Sequence, residues 1–284
     1  MTDTRTAWFN GNFEPLADVR LSPMDRGFLF ADGIYEVTAV LDGKLVDSAS
    51  HLARLERSAA ALEIKLPLTV AEIEQIEHEL IARNGLTRGT IYIELTRGVA
   101  ERDFLAEPET PTLLMFTQAG DMLASPAVTN GVNVVTMPDI RWGRRDIKSV
   151  MLLAQVLAKR AAKAQGAQEA WLVQDGYVTE GASSTALIVT ADGTLVTRPN
   201  SNSILPGCTR AAVLALAERD GVALEERLFT VEEALTAREA MLTSASNFVV
   251  SIVRIDGQTI GEGRPGPVAM RLRELYLEMA RSSS

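Results

Sequence analysis

Asp-Gly pairs recur at Asp42, Asp175, Asp192 and Asp256, beside runs of apolar and β-branched residues. Glycine reaches positive φ at no steric cost, so such pairs suit tight hairpin turns. Tight hairpins impose antiparallel pairing, because parallel strands need long crossovers. Helical periods lie between the hairpins, so the chain is read as α+β, with antiparallel sheets and helices.

In the first part, Ile34 to Leu41, Thr90 to Thr96 and Pro111 to Thr117 read as strands. A helix capped by Ser50 carries Leu52, Leu55 and Leu62 at helical spacing, and another spans Ala71 to Ala82. The stretch from Gln118 to Pro126 has no period and holds a Gly and a Pro. The expected organisation is a small α+β domain over 1–118, a linker over 119–126, and a larger domain over 127–284. In the larger domain, Val132 to Thr136, Ala170 to Val173, Ser184 to Val189, Met241 to Thr243 and Phe248 to Ile255 read as strands. Helices are expected over Val150 to Ala164, Thr209 to Glu218 and Val268 to Ala280, with the closing serines frayed.

Composition narrows the chemistry. The net charge of −9 argues against nucleic acid as a partner, because phosphate binding needs a basic face. No apolar run of about 18 residues exists, so no membrane span is expected. The first thirteen residues lack an apolar core, so no signal peptide is expected, and a cytoplasmic protein fits. Cys208 stands alone, which excludes a disulfide within the chain. Two histidines and one cysteine do not make a structural zinc site, so no metal is expected. His51 and His78 read as surface or capping residues, the latter among Glu74, Glu77 and Glu79 on a solvated face. Gly261 to Gly266 matches G-x-G-x-x-G, but no βαβ unit surrounds it and Pro265 removes a donor, so it reads as a loop.

Any catalytic amine comes from a short set: the N-terminus, Lys44, Lys65, Lys148, Lys159 and Lys163. All the lysines but Lys148 read as solvated. Lys148 closes the segment Asp139 to Ser149, with Arg141, Arg144 and Arg145 close by. Like charge and partial burial lower a lysine's pKa and favour a nucleophilic amine; an ordinary surface lysine is the alternative. In Val178 to Ser184, Gly181 would let a planar ligand approach the backbone beside Glu180; a hairpin with a polar rim is the alternative. Gly207, Cys208 and Thr209 open a helix and offer an anion site, or simply a capped helix. Thr243 to Ser246 is a second small-residue loop with the same two readings.

Taken together, these segments resemble the fold-type IV pyridoxal-phosphate enzymes, the class IV aminotransferases, most closely the bacterial D-amino-acid aminotransferases. The resemblance covers nearly the whole chain. It rests on Met24-Asp25-Arg26-Gly27, Asp32 to Val37, His51 to Leu55, Thr96-Arg97-Gly98, Asp139 to Ser149, Val178 to Ser184, Ile204 to Arg210 and Leu242 to Ser246. It implies a two-domain homodimer with the active site between the domains. By resemblance, Lys148 binds the cofactor aldehyde and carries a proton, and Glu180 pairs with the pyridinium nitrogen. Arg54 binds the phosphate, with the backbone of Cys208 and Thr209, the Thr209 hydroxyl and the Ser244-Ala245 turn. Leu205 packs on the ring, while Tyr35 and Arg102 hold the substrate carboxylate.

Two departures stand out. Phe104 occupies the place of a carboxylate-binding histidine, a loss of roughly 1.5–3 kcal/mol for a charge-assisted hydrogen bond. Arg26, Arg97 and Arg144 are candidates to replace it. Ala245 stands where the family has a hydroxyl residue. The expected activity is transfer of an amino group from a D-amino acid to an α-keto acid, 2-oxoglutarate or pyruvate, by ping-pong chemistry. The alternatives are an (R)-amine transaminase, a branched-chain L-amino-acid aminotransferase, an aminodeoxychorismate lyase, or a pyridoxal-phosphate-binding module without turnover.

Overall fold

A computed structural model describes residues 4–282. The N-terminal amine and serines 283–284, considered above, lie outside the described residues. The described residues divide into two compact units, one of residues 4–121 with Ile147–Met151, the other of Met122–Asp146 with Leu152–Ser282.

The first unit contains β1 (Thr6–Phe9), β2 (Asn12–Pro15), α1 (Arg26–Phe30), β3 (Gly33–Leu41), β4 (Lys44–Val46), α2 (Ser48–Ala61), α3 (Val70–Asn84), β5 (Arg88–Thr96) and β6 (Thr112–Ala119). Its six strands run in the order β2-β1-β6-β5-β3-β4, antiparallel throughout. The Asp42-Gly43 turn joins β3 to β4 with both residues at positive φ, as a two-residue hairpin of matching twist requires. Helix α3 starts with a capping box between Thr69 and Glu72. Helix α2 differs from expectation. Asp47, at φ 56°, precedes its first turn, and Ser50 lies inside the helix rather than capping it.

The second unit contains α4 (Pro126–Asn130), β7 (Val132–Pro138), α5 (Leu153–Ala164), β8 (Glu169–Gln174), β9 (Tyr177–Gly181), β10 (Thr185–Val189), β11 (Leu195–Thr197), α6 (Cys208–Arg219), β12 (Leu224–Glu226), α7 (Val231–Leu235), β13 (Glu239–Ser244), β14 (Phe248–Ile255), β15 (Gln258–Thr259) and α8 (Pro267–Ser282). The strand order is β12-β11-β10-β13-β14-β7-β8-β9, with β15 on β14. This sheet is mixed rather than purely antiparallel. The pairs β7–β8, β14–β7 and β11–β12 are parallel, because the chain returns through long connections, α5 among them. Trp171 and Phe229 meet edge to face in its core, with ring centroids 5.9 Å apart. The segment Gly261 to Gly266 is a loop before α8.

The boundary between the two units falls between Asp121 and Met122, inside the stretch 119–126 expected to link them. Strand β6 runs to Ala119, Met122 is buried, and α4 begins at Pro126. The expected helix from Val150 starts only at Leu153. The residues before it are extended because they take the edge of β3 that the three-residue β4 leaves open. Tyr35 N–H donates to the Lys148 carbonyl at 2.9 Å, Val150 N–H donates to the Gly33 carbonyl at 3.0 Å, and Ser149 bridges to Ile34. Lys148, expected in the larger domain, therefore belongs to the first unit.

Candidate active site

In the first unit the site grows from a polar stripe on α2. His51, Arg54 and Ser58 lie at helical spacing on one face of this helix and are all buried. Strand β3 answers with Glu36, two residues from Ile34 on the same face by the strand period. Arg54 donates to both Glu36 oxygens, from Nε at 2.7 Å and Nη2 at 2.8 Å, and the His51 Nδ1 lies 2.8 Å from Glu36 Oε2. Burial alone would push the Glu36 carboxyl up. The Arg54 charge and hydrogen bonds, with His51, overcome this and hold it at about 2. His51 is thus a core residue in a charged cluster, not a surface or capping histidine. Ser58 Oγ accepts the Lys148 backbone N–H at 3.3 Å.

Glu77 also corrects the sequence reading. It shares the buried stripe of Ile73, Leu80 and Ile81, and neither carboxyl oxygen has a hydrogen-bond partner among the described residues. Burial pushes this carboxyl up to about 7. An acid raised from 4.5 binds its proton more tightly when folded, so stability is full below pH 4.5 and falls as pH rises towards 7. Glu77→Gln is expected to stabilise the protein by about 2–3 kcal/mol at pH 8, with the gain vanishing below about pH 4.5. Urea titrations of both proteins at pH 4 and 8 check this; an equal effect at both would contradict it.

The Lys148 amine lies 4.2 Å from the centroid of the Tyr35 ring, a cation–π contact. Tyr35 stacks on Tyr92 at 5.7 Å, and Tyr92 packs on Phe116 at 5.1 Å. The lysine is half-buried beside an aromatic ladder. Arg102 is exposed, its guanidinium 5.5 Å from the Phe30 ring, which also carries Phe104 at 5.2 Å. Arg26 is buried beneath this group and donates to the Asp103 carbonyl at 2.6 Å and the Phe104 carbonyl at 3.2 Å. Asp32 binds both Arg26 and Arg97 at 2.8 Å, and Arg97 also donates to the Leu62 carbonyl. Arg26 and Arg97 are therefore committed to holding the loop and strand ends. Arg144 pairs with Asp146 at the surface of the second unit. None of the three is left to supply the carboxylate donor whose loss was expected at Phe104.

In the second unit, Glu180 lies near the end of β9 with its carboxylate enclosed. It accepts from the Leu205 N–H at 3.1 Å and pairs with Arg141 Nη1. Asp139 grips the far side of Arg141 with two bonds, at 3.0 and 2.7 Å, and accepts from Thr179 Oγ1 at 2.7 Å. Burial pushes the Glu180 carboxyl up, and the Arg141 charge and the Leu205 N–H oppose it. The arginines read from sequence as a positive field are thus tied to acids, and Arg145 also pairs with Asp139 at 3.3 Å. Sequence reasoning missed Asp139 and Arg141 as a support for Glu180. Their signal was an acid and an arginine two residues apart, just after β7.

Leu205 leads through Pro206 to Gly207, the N-cap of α6, where no side chain among the described residues caps the first N–H groups of Cys208 and Thr209. Gly207 sits against β10: a Cβ there would meet Thr185 Oγ1 at 2.8 Å. Thr185 pairs with Thr243 of β13, whose next residue, Ser244, opens the three-residue turn to Phe248. The order in space is a buried acid, an apolar side chain, then a cup of backbone donors. That order suits a pyridinium ring bearing a phosphate. Among the described residues no group of His, Cys, Asp and Glu is placed to hold a metal.

Residues 33–255 match the family described as amino-transferase class IV. The chain belongs to the class IV aminotransferases. It is 39% identical over 279 residues to a D-alanine aminotransferase of Staphylococcus haemolyticus, covering 98% of each chain. The branched-chain amino acid aminotransferase of Escherichia coli superposes with a TM-score of 0.90 at 23% identity, covering 98% of this chain and 95% of that one. A hypothetical aminotransferase of Mycobacterium tuberculosis, solved in its PLP-bound form, gives 0.85 at 22% identity, covering 98% of this chain and 100% of that one. Class IV aminotransferases use pyridoxal 5'-phosphate, and the acid, apolar and donor groups above fit that cofactor. No helix among the described residues is long and apolar enough to cross a membrane.

Proposed function

We propose that the chain transfers the amino group of a D-amino acid to an α-keto acid by two ping-pong half-reactions. The near full-length similarity to D-alanine aminotransferase carries this reading, and the half-buried Lys148 beside Tyr35 and the enclosed Glu180 carboxylate support it. When bound, pyridoxal phosphate supplies an electron-accepting ring next to the reacting carbon. Lys148 Nζ holds the cofactor, takes the proton from the substrate Cα and delivers it to C4′. Glu180, kept in place by Arg141, holds the ring nitrogen protonated. Arg54, the N–H groups and hydroxyl of Cys208 and Thr209, and the Ser244-Ala245 turn bind the phosphate. Leu205 covers one ring face. Tyr35 and Arg102 orient the substrate carboxylate.

The reading includes a homodimer in the cytoplasm. Large apolar side chains stand exposed on each unit, Phe28, Phe104 and Leu105 on one, Leu153 and Leu157 on the other, as a partner copy would cover. Phe104 favours a second activity on primary (R)-amines, which have no carboxylate to grip. Initial rates with D-alanine, L-leucine and (R)-1-phenylethylamine separate the readings. D-alanine should be the best donor. Arg102→Ala should raise its KM about 10- to 100-fold and leave that of the amine unchanged. Preference for L-leucine would overturn the D-specific reading.

A further inference from the structure

Arg273 on α8 is buried, yet among the described residues it has no carboxylate partner. It spends its donors on three carbonyls instead: Nη1 on Asn247 at 2.7 Å and Val249 at 2.8 Å, and Nη2 on Met122 at 2.8 Å. A buried cation without a counter-ion is costly, and it persists where something negative is met or a conformation is enforced. The two carbonyls on Nη1 flank Phe248. That residue sits at φ 61°, a left-handed conformation that a bulky side chain rarely adopts. Positive φ of this kind usually falls to glycine, asparagine or aspartate, and Phe248 adopts it where β14 begins. Here the Arg273 clamp and the packing of Phe248 on Tyr276, with centroids 5.1 Å apart, hold it. The loop so fixed is Ala245 to Asn247, the turn assigned above to the cofactor phosphate.

We propose that Arg273 is a positioning residue for the cofactor phosphate. It aims the N–H groups of the Ser244-Ala245 turn and supplies the positive potential that a phosphate dianion at that turn would neutralise. Arg273 reaches the phosphate only through this turn and does not touch the reacting atoms. The inference rests on the phosphate reading of the turn.

The test compares cofactors with and without the phosphate. Apo-protein is titrated with pyridoxal 5'-phosphate and with pyridoxal, binding being read by quenching of tryptophan fluorescence. Arg273→Gln should weaken binding of the phosphorylated cofactor at least about 10-fold and leave pyridoxal within about 2-fold. Arg273→Lys should recover part of the loss, since it keeps the charge but not the fork. Equal weakening of both ligands would reduce Arg273 to a structural clamp and overturn the proposal, as would no change in either. Ala245→Pro, which removes one turn N–H, separates the two failures. If it leaves the phosphate preference intact, the phosphate reading of the turn is wrong. If it abolishes that preference while Arg273→Gln does not, the role of Arg273 is wrong.

Discussion

Lys148→Ala is expected to fold normally and to lose about 10²–10⁴-fold in kcat, the scale of a positioned acid–base group. Folding survives because the residue is anchored through its backbone. Its N–H donates to Ser58, its carbonyl accepts from Tyr35, and neither needs the side chain. The Nζ contact with the Tyr35 ring is lost, which costs about 0.5–1 kcal/mol. Steady-state rates and thermal melting check the two halves of this statement. Because Lys148 would also move the proton, added small amines should restore part of the rate without restoring the covalent link. A variant that keeps about a tenth of the wild-type rate would remove Lys148 from the chemistry.

Glu180→Gln carries the next largest effect. The amide keeps the shape and loses the charge that holds the ring nitrogen protonated. The expected fall in kcat is on the order of 10²–10³-fold, as for removal of one preorganised electrostatic group. The fold should tolerate the change, because Asp139 keeps its two bonds to Arg141 and leaves that guanidinium paired. Glu180→Asp should recover part of the rate. Rates of the first half-reaction with D-alanine make the measurement. Wild-type rates in Glu180→Gln would assign the ring nitrogen no partner here.

Local chemistry was the legible part of this chain. Asp42-Gly43 closes a hairpin because both residues accept positive φ, and this depends on nothing distant. The Thr69–Glu72 box that starts α3 is equally local, although the sequence reading began that helix at Ala71 without it. Long-range pairing was hidden. Residues 147–151 are held extended by an edge of β3 far back in the chain, against their Ala- and Leu-rich continuation. The parallel pairs of the second sheet likewise follow from where the connections return. His51 and Glu77 were misjudged by residue type. The 3.6-residue period alone places Glu77 with Ile73, Leu80 and Ile81, and it places His51 with Arg54 and Ser58. What no period contained was the buried counter-charge to Arg54 and His51, Glu36 on β3.

The candidate site divides in the same way. Lys148 and Glu180 emerged because their neighbours in sequence had the right chemical types. Asp139, Arg141 and Arg273 did not, since what they support, Glu180 or the turn after β13, lies far along the chain. Phe104 was visible as a departure. Its consequence needed the structure, where Arg26 and Arg97 are committed to Asp32 and to backbone carbonyls.

Reduction with borohydride followed by peptide mapping tests the central claim most directly. The protein loaded with pyridoxal phosphate should carry one phosphopyridoxyl group, on the peptide containing Lys148, and prior incubation with D-alanine should prevent the labelling. A label on Lys159, on Lys163 or on no lysine, or labelling that D-alanine leaves untouched, would contradict the account.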